Sequence, residues 1–131
     1  SLIYRFNNQK PGKLVDIPIA VTFTKLDLLI SHGIIDRNGS AAGDGMHEAR
    51  GAFVRSDADE VKRELSALAE EYFSDEMLAY LSCFRHKEMF AVSALGSDPV
   101  NGRLTAPVAP KRVLDPLLWI LAERGFIKKV K

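Results

Sequence analysis

The sequence predicts a mixed α/β domain built on a parallel sheet. Two compact apolar runs, Ile17–Phe23 and Met89–Val92, are bounded by turn-forming residues, as is typical of strands buried on both faces. Helical patterns of apolar residues lie between the two runs and after the second. Strands that alternate with helices indicate parallel pairing, and 131 residues are enough for a single domain, 1–131, with its own core.

The first helices are predicted from apolar spacing. A short helix is expected over Leu26–Ser31, because Gly33 follows as a helix stop. A longer helix is expected behind Ser56, where apolar residues recur at spacings of four, three and four: Val61, Leu65, Leu68 and Tyr72. Three acidic residues near its start are expected to favour the helix dipole rather than to form a catalytic pair: Asp57, Asp59 and Glu60.

The later helices are predicted from the residues that begin them. Ser74 is expected to cap a helix that carries Leu78 and Leu81. Asp115-Pro116 predicts the start of the last helix, with Asp115 as its N-cap and proline at the first helical position. The basic end, residues 128–131, is expected to be a frayed, solvated tail.

Residues 36–51 form a glycine-rich segment with few large apolar side chains. This composition predicts a loop, and we expect a flexible insertion. Its charged residues are consistent with a partner-contact or lid segment, and equally with a surface insertion that has no such role. Asp36–Gly39 at its start is expected to be a turn.

The overall composition excludes some partners. The net charge of +1 gives no electrostatic reason to expect a nucleic acid or an acidic membrane surface as a partner. No run is long and apolar enough to span a bilayer, and residues 1–14 lack a signal-peptide layout. The single cysteine fits a reducing compartment, so a cytoplasmic location is expected.

Two short motifs carry the functional prediction. Thr24-Lys25-Leu26-Asp27 follows the first predicted strand, and Ser93-Ala94-Leu95 follows the second. They resemble the [N/T]-K-x-D and S-A-[K/L] motifs of P-loop GTPases, in the order and at the strand ends where that family has them. Ligands of open α/β sheets bind outside this edge. The resemblance therefore implies a guanine-nucleotide site.

The resemblance also implies a role for each motif residue. The Asp27 carboxylate would accept both the ring N–H and the exocyclic amino group of guanine, and the stem of Lys25 would lie along the base. The backbone N–H of Ala94 would bond the guanine carbonyl, while Ser93 would brace the loop. Thr24 stands where many members have asparagine, and a hydroxyl has fewer hydrogen-bonding options than an amide. Leu95 completes the second motif.

The phosphate-holding motifs of this family are missing from the chain. No G-x-x-x-x-G-K-[ST] pattern occurs, and the D-x-x-G of residues 36–39 follows the base-reading motif, where the family has it before. The chain is thus expected to be the C-terminal half of a Ras-like three-layer domain over about residues 1–127, without the P-loop half. GTP or GDP is the expected ligand, with Mg²⁺ bound only through the missing half. A looser similarity is to bacterial double-GTPase proteins associated with conflict systems.

A second hypothesis is a non-catalytic α/β interaction domain that binds no nucleotide. The expected protein partners are the missing N-terminal half, another protein, or a second copy of the chain paired at an open sheet edge. Residues 2–6 resemble the last turn of an element, which suggests that earlier elements lie upstream. Metal binding is not expected, because the histidines lack the spacing of metal ligands: His32, His47 and His86.

Overall fold

A computed structural model describes residues 14–97 and 99–131 as a mixed α/β fold with helices around two small sheets. The expectations for residues 2–6 and for Asp98 lie outside the described residues. The elements are β1 (Ile19–Phe23), α1 (Leu26–Ser31), a 3₁₀ turn (Ser40–Ala42), α2 (His47–Arg50), β2 (Phe53–Val54), α3 (Arg55–Tyr72), α4 (Asp75–Leu81), β3 (Lys87–Ala91), α5 (Asp115–Glu123) and β4 (Lys129–Val130).

Both sheets consist of parallel strands, which confirms the predicted α/β class. β1 pairs with β3 in a register that runs from Ile19 opposite Lys87 to Phe23 opposite Ala91. β2 pairs with β4 in the same sense. The parallel direction follows from the helices that separate each pair of strands along the chain.

The end of the chain is paired rather than frayed, so the prediction for residues 128–131 was wrong. The Phe53 N–H donates to the carbonyl of Lys128 at 2.9 Å, and Lys129–Val130 then runs beside β2. The Lys129 ammonium also binds Glu123 at 2.7 Å. Backbone pairing and a local ion pair therefore hold a segment that composition alone would leave in solvent.

One core forms where side chains of α3, β3 and α1 pack together. Leu26, Val61 and Leu65 are fully buried there and pack with Ala91 at the end of β3. Leu68 belongs to the same core, but Tyr72 is 60% exposed, so the predicted apolar face of α3 ends one turn early. The predicted periodicity is otherwise confirmed.

A second core lies under α5, which packs on β1 and β2. Trp119 is 1% exposed and its ring lies 6.0 Å from that of Phe90 on β3. Phe53, Ala58 and Ala122 complete this cluster. The apolar stretch of the last helix is thus buried against the strands on one side.

The helix starts agree only partly with the predicted caps. Ser74 caps α4 as expected, since its hydroxyl accepts the Met77 N–H at 3.1 Å. Helix α3 begins at Arg55 and has no side-chain cap, so the expected start behind Ser56 was wrong. Asp115 lies inside α5, after Leu114 as the capping position, because its carboxylate turns instead to a buried arginine described below.

The glycine-rich segment 36–51 contains regular structure, which corrects the expectation of an irregular loop. Ser40–Ala42 forms the 3₁₀ turn and His47–Arg50 forms α2. Ala41 and Ala42 are buried, and the turn packs on α3. None of the helices in residues 14–97 and 99–131 is both long and apolar enough to cross a bilayer.

Candidate functional site

The two motif loops leave the β1–β3 sheet at the same edge. Phe23 and Ala91 are opposite each other at the ends of the two strands. Backbone bonds then continue the ladder beyond the strands: the Val92 N–H donates to Phe23 O at 2.9 Å, and the Leu26 N–H donates to Val92 O at 2.9 Å. These bonds hold the two loops side by side at the edge where open α/β sheets bind ligands.

Asp27 is oriented by Ser93. The Ser93 hydroxyl donates to Oδ1 of Asp27 at 2.8 Å and accepts the Gly96 N–H at 2.8 Å. Ser93 is 1% exposed, so its hydroxyl is a fixed, water-shielded donor. Within residues 14–97 and 99–131 no hydrogen bond reaches Oδ2 of Asp27, so this oxygen is available to a ligand.

A cavity of about 470 Å³ opens beside Asp27, a volume typical of small-molecule sites. Five of the six motif residues predicted for the site line it, and the sixth, Ser93, lies behind Asp27. The fold thus brings the residues of both motifs together at one cavity. The lining consists of Thr24, Lys25, Asp27, Leu28, Val92, Ala94, Leu95, Pro99 and Val113.

Lys25 has an unusual backbone conformation for a residue with a side chain. Its φ is 56° and its ψ is 47°, in the left-handed region, directly before α1. Such conformations cost of order 1–3 kcal/mol and cluster at functional sites. In the described part of the chain Lys25 makes no ion pair, so its ammonium is free to meet a ligand.

Ala94 and Thr24 contribute differently from each other. The Ala94 N–H donates no hydrogen bond within residues 14–97 and 99–131, and the residue is exposed at the cavity. Thr24 is also exposed, and its hydroxyl makes no hydrogen bond to the described residues. The loops are therefore braced by Ser93 and by the backbone, while Ala94 offers an open donor.

Asp27 also lines a second cavity, of about 320 Å³. It carries two basic side chains, Arg37 and Lys111, together with Ser97, none of which the motifs indicate. The Lys111 ammonium already donates to Ala42 O at 2.8 Å, which fixes its position. Asp27 therefore lines two cavities, the larger of which is bounded by both motifs.

A buried ion network lies behind this second cavity, centred on Arg112. Its guanidinium donates to both oxygens of Asp57 at 2.9 and 3.0 Å and to Asp115 at 2.8 Å. It also donates to Ser40 O at 2.7 Å and to Gly43 O at 3.0 Å. The five N–H groups of arginine are thus all used, and the side chain is 1% exposed.

His47 completes the network and is held in one tautomer. Its Nδ1 accepts the Val54 N–H at 2.8 Å, and its ring stacks on Phe53 with 4.7 Å between ring centres. The proton of the neutral ring is therefore on Nε2, 3.2 Å from Asp57 in a close but poorly aligned contact. His47 is thus buried and bonded at Nδ1. Asp57 lies in the first turn of α3, as predicted, and is also a buried ion partner.

The network contains residue types that bind metal ions, but its protonation and its charge do not suit a metal ion. Ligand atoms of three buried residues lie within 4.8 Å of one another: His47, Asp57 and Asp115. The histidine nitrogen that faces the carboxylates carries the proton, so it has no lone pair with which to bind a cation. The Arg112 guanidinium already supplies the positive charge between the two carboxylates. We therefore interpret the cluster as a structural ion network.

The two carboxylates of the network have opposite pKa shifts. Burial alone would raise the pKa of Asp57, but the His47 and Arg112 donors outweigh it and hold that pKa well below its usual range. Burial raises the pKa of Asp115 despite its bond from Arg112. A proton that enters the network therefore goes to Asp115 before Asp57.

Comparison with known proteins returned no match: no family model fits the chain, and neither a curated protein nor a solved structure resembles it. The function is therefore inferred from the residues and their geometry.

Proposed function

We propose that this chain binds the base of a guanine nucleotide, GTP or GDP, as the base-reading part of a GTPase-like protein. One observation carries the proposal: a carboxylate oriented by a buried hydroxyl faces a cavity that an open backbone donor also lines. The groups are Asp27, Ser93 and Ala94. The match between these groups and the hydrogen-bonding edge of guanine supports the assignment.

Recognition follows from the donors and acceptors of the base. Guanine presents a ring N–H beside an exocyclic amino group, and the Asp27 carboxylate accepts hydrogen bonds from both. Its carbonyl oxygen accepts the Ala94 N–H. Adenine has a ring acceptor where guanine has the N–H, so it would face the carboxylate with a lone pair. Hydrogen bonds to a charged group contribute about 1.5–3 kcal/mol each, so the preference for guanine is expected to be strong.

The walls of the cavity suit a flat, aromatic ligand. The aliphatic stem of Lys25 lies along one side of the base, with its ammonium toward the ribose. Leu95 and Val113 supply apolar surface in the same cavity. Planar ligands gain from such contacts because both faces leave water.

The proposal assigns no phosphate chemistry to this chain. Its sequence has no P-loop pattern that would hold phosphates or Mg²⁺. Both would be held by a missing half of a Ras-like three-layer domain, of which this chain is the C-terminal half. Hydrolysis of the nucleotide would require the missing half. We place such a protein in the cytoplasm, where its nucleotide is found.

The test is the preference of the protein for GDP over ADP, measured by calorimetry or by the rise in melting temperature. Asp27→Ala should abolish the preference. Asp75→Ala is the matched control, because Asp75 is also an acidic residue in the first turn of a short helix but lies on α4. Equal binding of GDP and ADP would overturn guanine recognition. No binding of either would favour an α/β interaction domain that binds no nucleotide.

A further inference from the structure

The Ser93 hydroxyl, which orients Asp27, depends for its position on the neighbouring segment at Lys111. Ser93 and Lys111 exchange two backbone hydrogen bonds, with Lys111 donating at 2.7 Å and Ser93 donating at 3.0 Å. The next residue, Arg112, has a φ of 57°, in the left-handed region, as its side chain enters the buried network. The backbone that holds Ser93 is thus continuous with the arginine that fills the network.

We infer that Arg112 is a positioning residue for the base-reading site: its buried ion network holds the segment that fixes Ser93, and Ser93 orients Asp27. The nucleotide part of this inference depends on the proposed function. The inference that Arg112 holds Ser93 in position does not depend on the proposed function.

The guanidinium is a fixed anchor because it cannot move without losing several bonds together. Its partners come from separate parts of the chain: the backbone of the 3₁₀ region, α3 and α5. Asp57 binds it through both carboxylate oxygens, the geometry that constrains an arginine most. A shift of Arg112 would also move the carbonyls of Ser40 and Gly43, so the glycine-rich segment 36–51 supports the site.

Only a few bonds connect Arg112 to the proposed ligand site. Lys111 is adjacent to Arg112 and is bonded at both its backbone N–H and its carbonyl to Ser93. The Ser93 hydroxyl donates its one proton to Asp27 and its oxygen accepts the Gly96 N–H, so both bonds depend on the position of this side chain. Displacing the segment would therefore tilt this hydroxyl and release the carboxylate that reads the base.

Gly45 offers a way to disturb Arg112 without removing a buried charge. A Cβ at Gly45 would lie 2.9 Å from Nη1 of Arg112, and that nitrogen has no free space because two carboxylates hold it. Gly125 is the matched control. It has the same φ of +79°, but a Cβ there meets nothing within 4 Å. The two alanine variants share the backbone strain, and only Gly45→Ala presses on the network.

The experiment measures amide hydrogen exchange by NMR in the two variants, followed by titration with GDP and with ADP. We expect Gly45→Ala to speed exchange of the Ser93, Gly96 and Lys111 amides on the order of tenfold relative to those of α3, and to lower the GDP preference. Gly125→Ala should change neither. If Gly45→Ala does not fold, Arg112→Lys is used with Leu81→Ala as a control for lost stability, because Leu81 is a core residue of α4.

The outcomes separate the two claims. If the three amides exchange no faster than the rest of the chain, or respond equally in both glycine variants, the positioning role of Arg112 is overturned. If the wild-type protein shows no preference for GDP, the proposed function fails, while the exchange data still decide whether Arg112 positions Ser93. Faster exchange with an unchanged GDP preference would overturn the link between Ser93 and base reading.

Discussion

Replacing Asp27 with asparagine should change which base the protein prefers. The Ser93 hydroxyl donates to Oδ1 at 2.8 Å, so the amide oxygen of the introduced asparagine should take that position. The amide nitrogen then takes the place of Oδ2 and faces the cavity as a donor. Guanine presents donors on this edge, whereas xanthine has a carbonyl in place of the amino group. Asp27→Asn should therefore weaken GDP and strengthen xanthosine diphosphate.

The expected size follows from the bonds exchanged. Losing one charge-assisted hydrogen bond costs about 1.5–3 kcal/mol, roughly a tenfold to hundredfold loss of GDP affinity. Xanthosine diphosphate should gain a neutral bond worth about 0.5–1.5 kcal/mol. Because Ser93 is bonded to Gly96 as well, the amide has little freedom to turn over and restore guanine binding.

Calorimetric titration with the diphosphates of guanosine, adenosine and xanthosine measures this change of base preference. Asp75→Asn on α4 serves as the control for a lost first-turn charge. The reasoning is refuted if Asp27→Asn binds GDP as tightly as the wild type, or if xanthosine diphosphate does not gain on GDP in that variant.

Three further predictions concern Ser93, Gly96 and the buried network. Ser93→Ala should weaken GDP binding about tenfold by calorimetry and leave ADP binding unaffected, since Asp27 loses the hydroxyl that orients it. An unchanged GDP affinity would show that Ser93 does not orient the site. Gly96→Ala should lose both stability and GDP binding, because a Cβ there would overlap the carbonyl of Ala109 at a φ of +81°; a normal melting temperature would contradict this. The lowered pKa of Asp57 means that the unfolded chain binds more protons, so the free energy of unfolding should fall as the pH drops below about 4. Asp57→Asn should flatten that decline in acid denaturation curves. The raised pKa of Asp115 should act oppositely on stability. Its contribution to the free energy of unfolding is full below about pH 4 and is lost as the pH rises through its folded pKa. Asp115→Asn should therefore leave the decline in acid unchanged.

Strands β1 and β3, most helices and the meeting of the two motifs could be predicted because their signals are local. Each motif directly follows an apolar run, and parallel strands put their carboxyl ends together. Asp27 and Ser93 meet although 66 positions separate them, since the sheet does the alignment. The limits of α1 were predicted to the residue.

The ion network could not be predicted, because its contacts are distant in sequence and follow no period. Arg112 stands 55 positions from Asp57 and 72 from Ser40, and a single arginine after a lysine gives no sign of burial. The position of His47 in the sequence matches no metal-ligand spacing and so gave no sign of a special role. Only the fold shows that its ring stacks on Phe53.

The pairing of β2 with β4 was missed for a related reason. Each strand has two residues, too few to show alternation, and the basic composition of residues 128–131 favoured solvent. What composition cannot show is that the carbonyl of Lys128 meets the N–H of Phe53 at 2.9 Å. Charged side chains are compatible with an edge strand whose backbone is bonded on one side.

The backbone amide proton of Ala94 tests the central claim most directly. It lines the cavity and donates no hydrogen bond to residues 14–97 or 99–131, so a bound guanine carbonyl should be its acceptor. Titration followed by NMR should show a saturable downfield shift of this proton with GDP, no such shift with ADP, and no shift with GDP in Asp27→Ala. The same response to GDP and ADP, or none to either, would contradict guanine recognition at this site.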